Sequence, residues 1–147
     1  MKSGANKPIS VLEYKQLCGR AGRPQYDKYG EAIIVGNSNV SDLIDYYING
    51  TPEPIKSQLA DDRALRTHIL SHIVTNPGIK TEDLFDFFLK TLAGLQTRKN
   101  TLKFAIDISK RFLLNESLIV QKGDRFAATE FGKKVSMLYV DPITAIY

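Results

Sequence analysis

Apolar residues recur at three- and four-residue intervals over most of the second half of the chain, and this periodicity predicts helices there. Leu65, Ile69, Leu70 and Ile73 share one face of a helix capped by Asp61 or Asp62 and ended by Pro77-Gly78. Leu84, Phe85, Phe88, Leu92 and Leu95 form the stripe of a second helix, capped by Thr81. A third runs from about Arg98 to Leu114. Its Leu102, Ala105, Ile106, Ser109, Phe112 and Leu113 point to a core, while Lys99, Lys103 and Lys110 recur at four and seven residues on the opposite side. The pattern then shortens. Leu118–Gln121 and Arg125–Ala128 flank Lys122-Gly123-Asp124 as a β-hairpin, and Thr129 starts a last short helix.

Three helices followed by a two-stranded hairpin is the order of a winged helix, in which the third helix faces a partner and the hairpin is the wing. The first third of the chain reads differently. A helix is expected from Ser10, in capping-box spacing with Glu13, to Gly19. The stretch 19–30 holds three glycines and a proline among charges and tyrosines, which predicts an exposed, shaped loop. Glu31–Val35 follows as a short β-branched run typical of a buried strand, and Gly36-Asn37-Ser38-Asn39 turns the chain into a helix at Asp42–Ile48, capped by Ser41. Two prolines and a glycine within Asn49–Pro54 mark a domain boundary and divide the chain into 1–52 and 53–147.

A chain of 147 residues with 43% hydrophobic and 24% charged content suits one ordinary domain, or a small domain plus part of another. The net charge of +4 is unevenly placed: residues 1–36 hold six basic against three acidic groups, 37–96 five against eight, and 97–147 nine against five. Basic ends around an acidic middle suit contact with phosphate at two separate places, although a solvated basic face is the commoner outcome for so modest an excess. A single cysteine, Cys18, excludes an internal disulfide framework and points to a reducing compartment; it has no obvious catalytic base. No apolar run is long enough to span a bilayer and the N-terminus lacks a signal-like segment, so a soluble cytoplasmic chain with no membrane partner is expected. His68 and His72 have ligand spacing on a helix but no HExxH and no third ligand nearby, so no metal site is expected. Tyr46-Tyr47 and Phe87-Phe88 could stack bases, yet helical spacing among apolar neighbours assigns them to the core.

The most specific string is Gln16-Leu17-Cys18-Gly19-Arg20-Ala21-Gly22-Arg23-Pro24. Two guanidiniums three residues apart, on a backbone that glycines allow to approach closely, can fork onto phosphate oxygens, and Gln16 adds a neutral donor. A flexible basic surface loop is the alternative for such a string. QLCGRAGRPQYDKYGEAIIV resembles motif VI of superfamily 2 helicases, in the form used by the superkiller-like group that includes archaeal DNA repair helicases. EPIKSQLADDRALRTHIL resembles the entry into that group's winged-helix domain, and TEFGKKVSMLYVDPITA its closing segment, so the resemblance runs from about Pro8 to Ala145.

The resemblance implies a fragment of an ATP-driven 3′-to-5′ translocase acting in DNA repair and replication-fork processing. Residues 1–52 would be the end of the second RecA-like domain, an incomplete α/β segment that leaves Ile33, Ile34 and Val35 without neighbouring strands, so this portion is expected to be rearranged, paired with another copy or loosely ordered; 53–147 would be the winged helix, giving a mainly α chain with small β content. Gln16, Gly19, Arg20 and Arg23 fall on the motif positions that reach the ATP phosphates, with Arg20 and Arg23 catalytic and Arg23 the arginine finger; Asp27 and Gly30 shape the loop and start the strand. Arg98, Lys99, Lys103, Lys110 and Arg111, with Lys122 and Arg125 of the wing, are candidates for nucleic-acid binding, or for packing against the motor. The chain has neither G-x-x-x-x-G-K-[ST] nor an Asp-Glu pair, so ATP and Mg²⁺ belong to the full-length parent and none is expected bound to this segment. The implied partners are single-stranded or forked DNA and the other RecA-like and ratchet domains of the same polypeptide, with self-association of the segment open. A standalone winged-helix DNA-binding protein without ATPase activity is the alternative.

Overall fold

The computed structural model describes residues 8–23, 25–35 and 39–147. They group into two compact units, one ending at Ile55 and the other running from Lys56 to Tyr147.

In the first unit, helix α1 (Val11–Cys18) starts where its caps are. Ser10 Oγ accepts the Glu13 N–H, and the Glu53 carboxylate accepts the Leu12 and Val11 N–H groups at 2.8 and 3.1 Å. A helix leaves its first N–H groups without internal partners, and here a residue from far along the chain supplies two acceptors. Those bonds, led by that of Leu12, hold the Glu53 carboxyl below its ordinary range. Lys15 adds a 2.8 Å bond to the Gly50 carbonyl. The segment after Gly50 is therefore tied onto α1, within a compact unit that runs to Ile55. Tyr47 fills the middle: its ring lies 5.0 Å from Tyr14 and 4.8 Å from Tyr46, and its hydroxyl donates to the Ile9 carbonyl.

Two expectations for this unit change, and a third, the strand at 31–35, meets the lack of neighbours expected of an isolated segment. The second helix begins two residues early, as α2 (Val40–Leu43) continued by a π-helical turn at Ile44–Ile48, because Asn39 and not Ser41 carries the cap; Ser41 is the donor to it. Tyr46 is exposed, unlike Tyr47. Glu31–Val35 forms no strand. It has no ladder partner among the described residues, and Ile33 and Val35 stand 81% and 93% exposed. The turn at Gly36–Ser38 lies outside the described residues.

The second unit holds α3 (Asp62–Thr75), β1 (Ile79–Lys80), α4 (Thr81–Leu89), α5 (Leu92–Gln96), α6 (Lys99–Asn115), β2 (Ile119–Lys122), β3 (Arg125–Ala128), α7 (Glu130–Met137) and α8 (Pro142–Ile146). Asp61 caps α3 as expected. Lys80, without a side-chain bond, takes the position before α4 that Thr81 was expected to hold. Among the described residues the strands form one antiparallel sheet in the order β1-β3-β2, with Ile79 opposite Phe126 and Ile119 opposite Ala128. One apolar core joins Leu65, Ile69 and Ile73 of α3, Leu84 and Phe88 of α4, Leu102, Ile106 and Leu113 of α6, Phe126 of β3 and Val135 of α7.

The stripe expected from Leu84 to Leu95 is broken after Leu89. Thr91 Oγ1 donates to the Phe88 carbonyl and accepts the Gly94 N–H, which opens α5 in a new direction and leaves Leu92 and Leu95 exposed. Phe87, expected in the core beside Phe88, is exposed and stacks on His72 at 3.9 Å. Thr129 caps α7 as expected. A Cβ at Gly132 would fall on the Leu118 carbonyl, so only glycine lets α7 lie against the chain leaving α6.

Candidate functional site

The loop after α1 is built around a crossing of its own backbone. Gly22 has φ +80°, in the left-handed region that favours glycine, and a Cβ there would meet the Gly30 backbone at 3.1 Å. A Cβ on Gly30 would in turn collide with the Ala21 carbonyl and the Gly22 nitrogen. The two glycines close the loop at its neck.

Beyond the neck, Arg23 and Asp27 bind each other through the backbone. The Arg23 carbonyl accepts the N–H groups of Tyr26 and Asp27, each at 2.8 Å, and the Asp27 carboxylate accepts the Arg23 N–H at 2.8 Å. Asp27 Oδ2 also lies 3.6 Å from Arg23 Nε, and the Arg23 guanidinium sits 5.1 Å from the centre of the Tyr26 ring. The Arg23 side chain is nonetheless 77% exposed. Gln16, Gly19 and Arg20 are exposed as well. The four motif residues thus share the end of α1 and the loop it feeds, with two guanidiniums in solvent where a phosphate can reach them. Gly19 also ends α1, its N–H bonding the Lys15 carbonyl at 3.0 Å. Beside the loop a groove of about 680 Å³ is lined by Ile9, Tyr14, Leu17, Arg20, Ile33 and Leu43, among others. Cys18 lines it too, half-buried, and its thiol is the main cause that raises the Tyr14 phenol above its ordinary value.

The basic positions of the second unit do not form one stripe. Arg98, just before α6, and Lys99, Lys103 and Arg111 on it are exposed, but the Lys110 side chain is only 10% exposed. Its ammonium is 2.8 Å from Asp107 and lies over the Phe126 ring at 5.3 Å. Lys99 leans over the Phe85 ring at 5.7 Å. The correction follows from helix geometry: at 100° per residue the three lysines lie roughly 80° from the Leu102 direction, at the border of the core stripe and not opposite it. The opposite face carries Phe104, 67% exposed, with Ile108 and Arg111 at four- and three-residue steps. On the hairpin, Lys122 and Arg125 are both exposed, and Arg125 also donates to the Gly78 carbonyl at 2.9 Å, which ties β3 to the turn after α3.

Among the described residues no cluster of three or more His, Cys, Asp or Glu could hold a metal ion, and no helix is long and apolar enough to cross a membrane. His72 is engaged with Phe87, and burial lowers its pKa. Two features were missed in the sequence. The Asp27 contacts depend on a turn whose bonds no spacing rule announces, whereas the exposed Phe104–Ile108 ridge is visible in helical spacing.

No family model matches the chain. It is similar over nearly its whole length to proteins described as ATP-dependent DNA helicase Hel308: 42% identical over 141 residues to that of Methanocella arvoryzae, 43% over 141 to that of Thermococcus kodakarensis, and 37% over 145 to that of Caldivirga maquilingensis. These alignments cover 93–94% of the chain but only 12–19% of the relatives, so the chain spans a fifth or less of their length.

Proposed function

We propose that this chain, which matches a segment of the Hel308 ATP-dependent DNA helicases, carries the phosphate-sensing end of a helicase motor together with the winged helix that follows it. In this reading the unit up to Ile55 is the end of a RecA-like domain and the loop at 16–23 is motif VI. Arg23 is the arginine finger, Arg20 a second phosphate contact, Gln16 a neutral donor, and Gly19 lets the backbone come close. The carrying observation is the glycine-closed loop that holds two exposed guanidiniums in the matched segment. Charge developing on the transferred phosphoryl group would be met by guanidinium donors already in place, which is how such arginines accelerate the reaction.

ATP would be bound mainly by the rest of the parent polypeptide. The guanidinium donors here fit its phosphates, while Mg²⁺ needs oxygen ligands that no described cluster in this segment supplies. The apolar groove beside the loop, with the unpaired 31–35 segment at its edge, is what a RecA-like sheet would present where further strands of the same domain pair with it. The second unit fits a winged helix: α3, α4 and α6 pack as the three helices, β2 and β3 form the wing, and β1 pairs onto β3. DNA, single-stranded or forked, is the proposed partner, with Arg98, Lys99, Lys103, Arg111, Lys122 and Arg125 as the exposed cations of the candidate set.

The test is Arg23→Ala in the full-length parent. DNA-stimulated ATP turnover should fall by roughly 10³-fold or more. Wild-type turnover would remove the finger from Arg23, and the alternative of a DNA-binding module indifferent to ATP would then stand.

A further inference from the structure

We infer that Asp27 is the positioning residue for Arg23, holding the finger in its working orientation; this rests on the reading of Arg23 as the group that meets the ATP phosphates. The sequence alone gives Asp27 a general part in loop shape. The structure assigns it three specific contacts with one residue: its carboxylate accepts the Arg23 N–H at 2.8 Å, its own N–H donates to the Arg23 carbonyl at 2.8 Å, and its Oδ2 stands 3.6 Å from Arg23 Nε.

The consequences come from the shape of arginine. The guanidinium is planar and presents donors on separate edges, so a carboxylate 3.6 Å from Nε, beyond hydrogen-bond range, draws that edge by charge and leaves the terminal amino groups for a second anion. Tyr26, 5.1 Å from the guanidinium carbon, limits the plane from another side. The backbone bonds fix the Cα–Cβ direction from which the side chain starts, and the Gly22–Gly30 crossing fixes where the whole tip sits. A side chain 77% exposed has many rotamers open to it, and a finger that must find its orientation during each ATP cycle is slow. An exposed ion pair adds little to folding stability, so the effect of Asp27 should appear in turnover and not in melting.

The experiment uses the full-length parent with DNA present and reads kcat and the ATP KM for Arg23→Ala, Asp27→Ala, Asp27→Asn and the double variant Arg23→Ala/Asp27→Ala. Asp27→Ala is expected to lower kcat roughly 10- to 100-fold while KM moves by less than about threefold. Asp27→Asn keeps an oxygen for the Arg23 N–H and should fall between wild type and Asp27→Ala. If Asp27 acts only through Arg23, the double variant turns over no more slowly than Arg23→Ala. Wild-type kcat for both Asp27 variants, with Arg23→Ala slow, overturns the inference and leaves the finger reading intact. A double variant slower than Arg23→Ala by the full Asp27→Ala factor also overturns it, because Asp27 would then act independently. Wild-type kcat in Arg23→Ala overturns the finger reading itself. Should Asp27→Ala fail to fold, Asp27→Asn and its double with Arg23→Ala carry the same cycle.

Discussion

Arg66 and Asp141 form the best-made ion pair among the described residues. Nε and Nη2 of the guanidinium meet the two carboxylate oxygens at 2.8 and 3.0 Å, and both side chains are largely buried. Arg63 adds its charge at 3.5 Å, and Asp141 also accepts the Ile143 N–H to cap α8. The arginine bond, foremost among these, lowers the Asp141 pKa from its ordinary 3.8. The folded protein therefore holds that carboxyl deprotonated more strongly than the unfolded chain does. Its stabilisation is complete above the unfolded value and disappears as pH falls through the folded one. Asp141→Asn should cost about 2–3 kcal/mol at neutral pH, read by urea unfolding, and the gap from wild type should shrink once pH drops below 3.8. A gap that persists unchanged in acid would mean that charge is not what the pair contributes. At this scale the sequence conceals most of what matters: Arg66 and Asp141 are 75 positions apart, and nothing in the residues around either one announces the other.

Helix α6 separates what a sequence reveals about an element from what it conceals. Its span and its buried residues, Leu102, Ile106, Ser109 and Leu113, follow from the 3.6-residue period. The placement of its charges requires the angular arithmetic to be carried around the whole circumference, and Lys110 then lies at the edge of the core. Lys110→Ala should accordingly lower stability, by about 1–3 kcal/mol for a buried charge-assisted contact, with little change in DNA affinity once the protein is folded. Changing Arg98, Lys103 and Arg111 to alanine should do the reverse, leaving the melting point near wild type and reducing the salt slope of DNA binding by roughly one for each phosphate that is no longer neutralised. An unchanged slope would assign these three positions to packing. The 31–35 segment shows the opposite limit. Its β-branched composition marks strand preference correctly, but a strand also needs a ladder partner, and none beside it is described. Strand β1 went unseen because two residues are too few to carry a period of two.

At the scale of the whole molecule, every member of the main core lies between Leu65 and Val135, inside the second unit. Residues 56–147 expressed alone should therefore unfold cooperatively, with a urea midpoint close to that of the same unit in the longer chain. A broad, non-cooperative transition would mean that this core depends on residues before Lys56. The mainly helical character, the hairpin and the succession of α3, α4, α6 and α7 were legible in the residues, since each rests on local periodicity and turn chemistry, whereas β1, the separate α5 and α8 were not. Nor was the reach of Glu53 back to α1. The pairing of Arg66 with Asp141 also gives the second unit a direction of mechanical strength. Tension applied at Tyr147 would first peel α8, a single short turn of helix, and would then arrive at a two-pronged clasp anchored near the start of the longest helix but one. Asp141 also caps α8, so a pull that frees that helix must break both bonds to Arg66 before it reaches Val135 and the core.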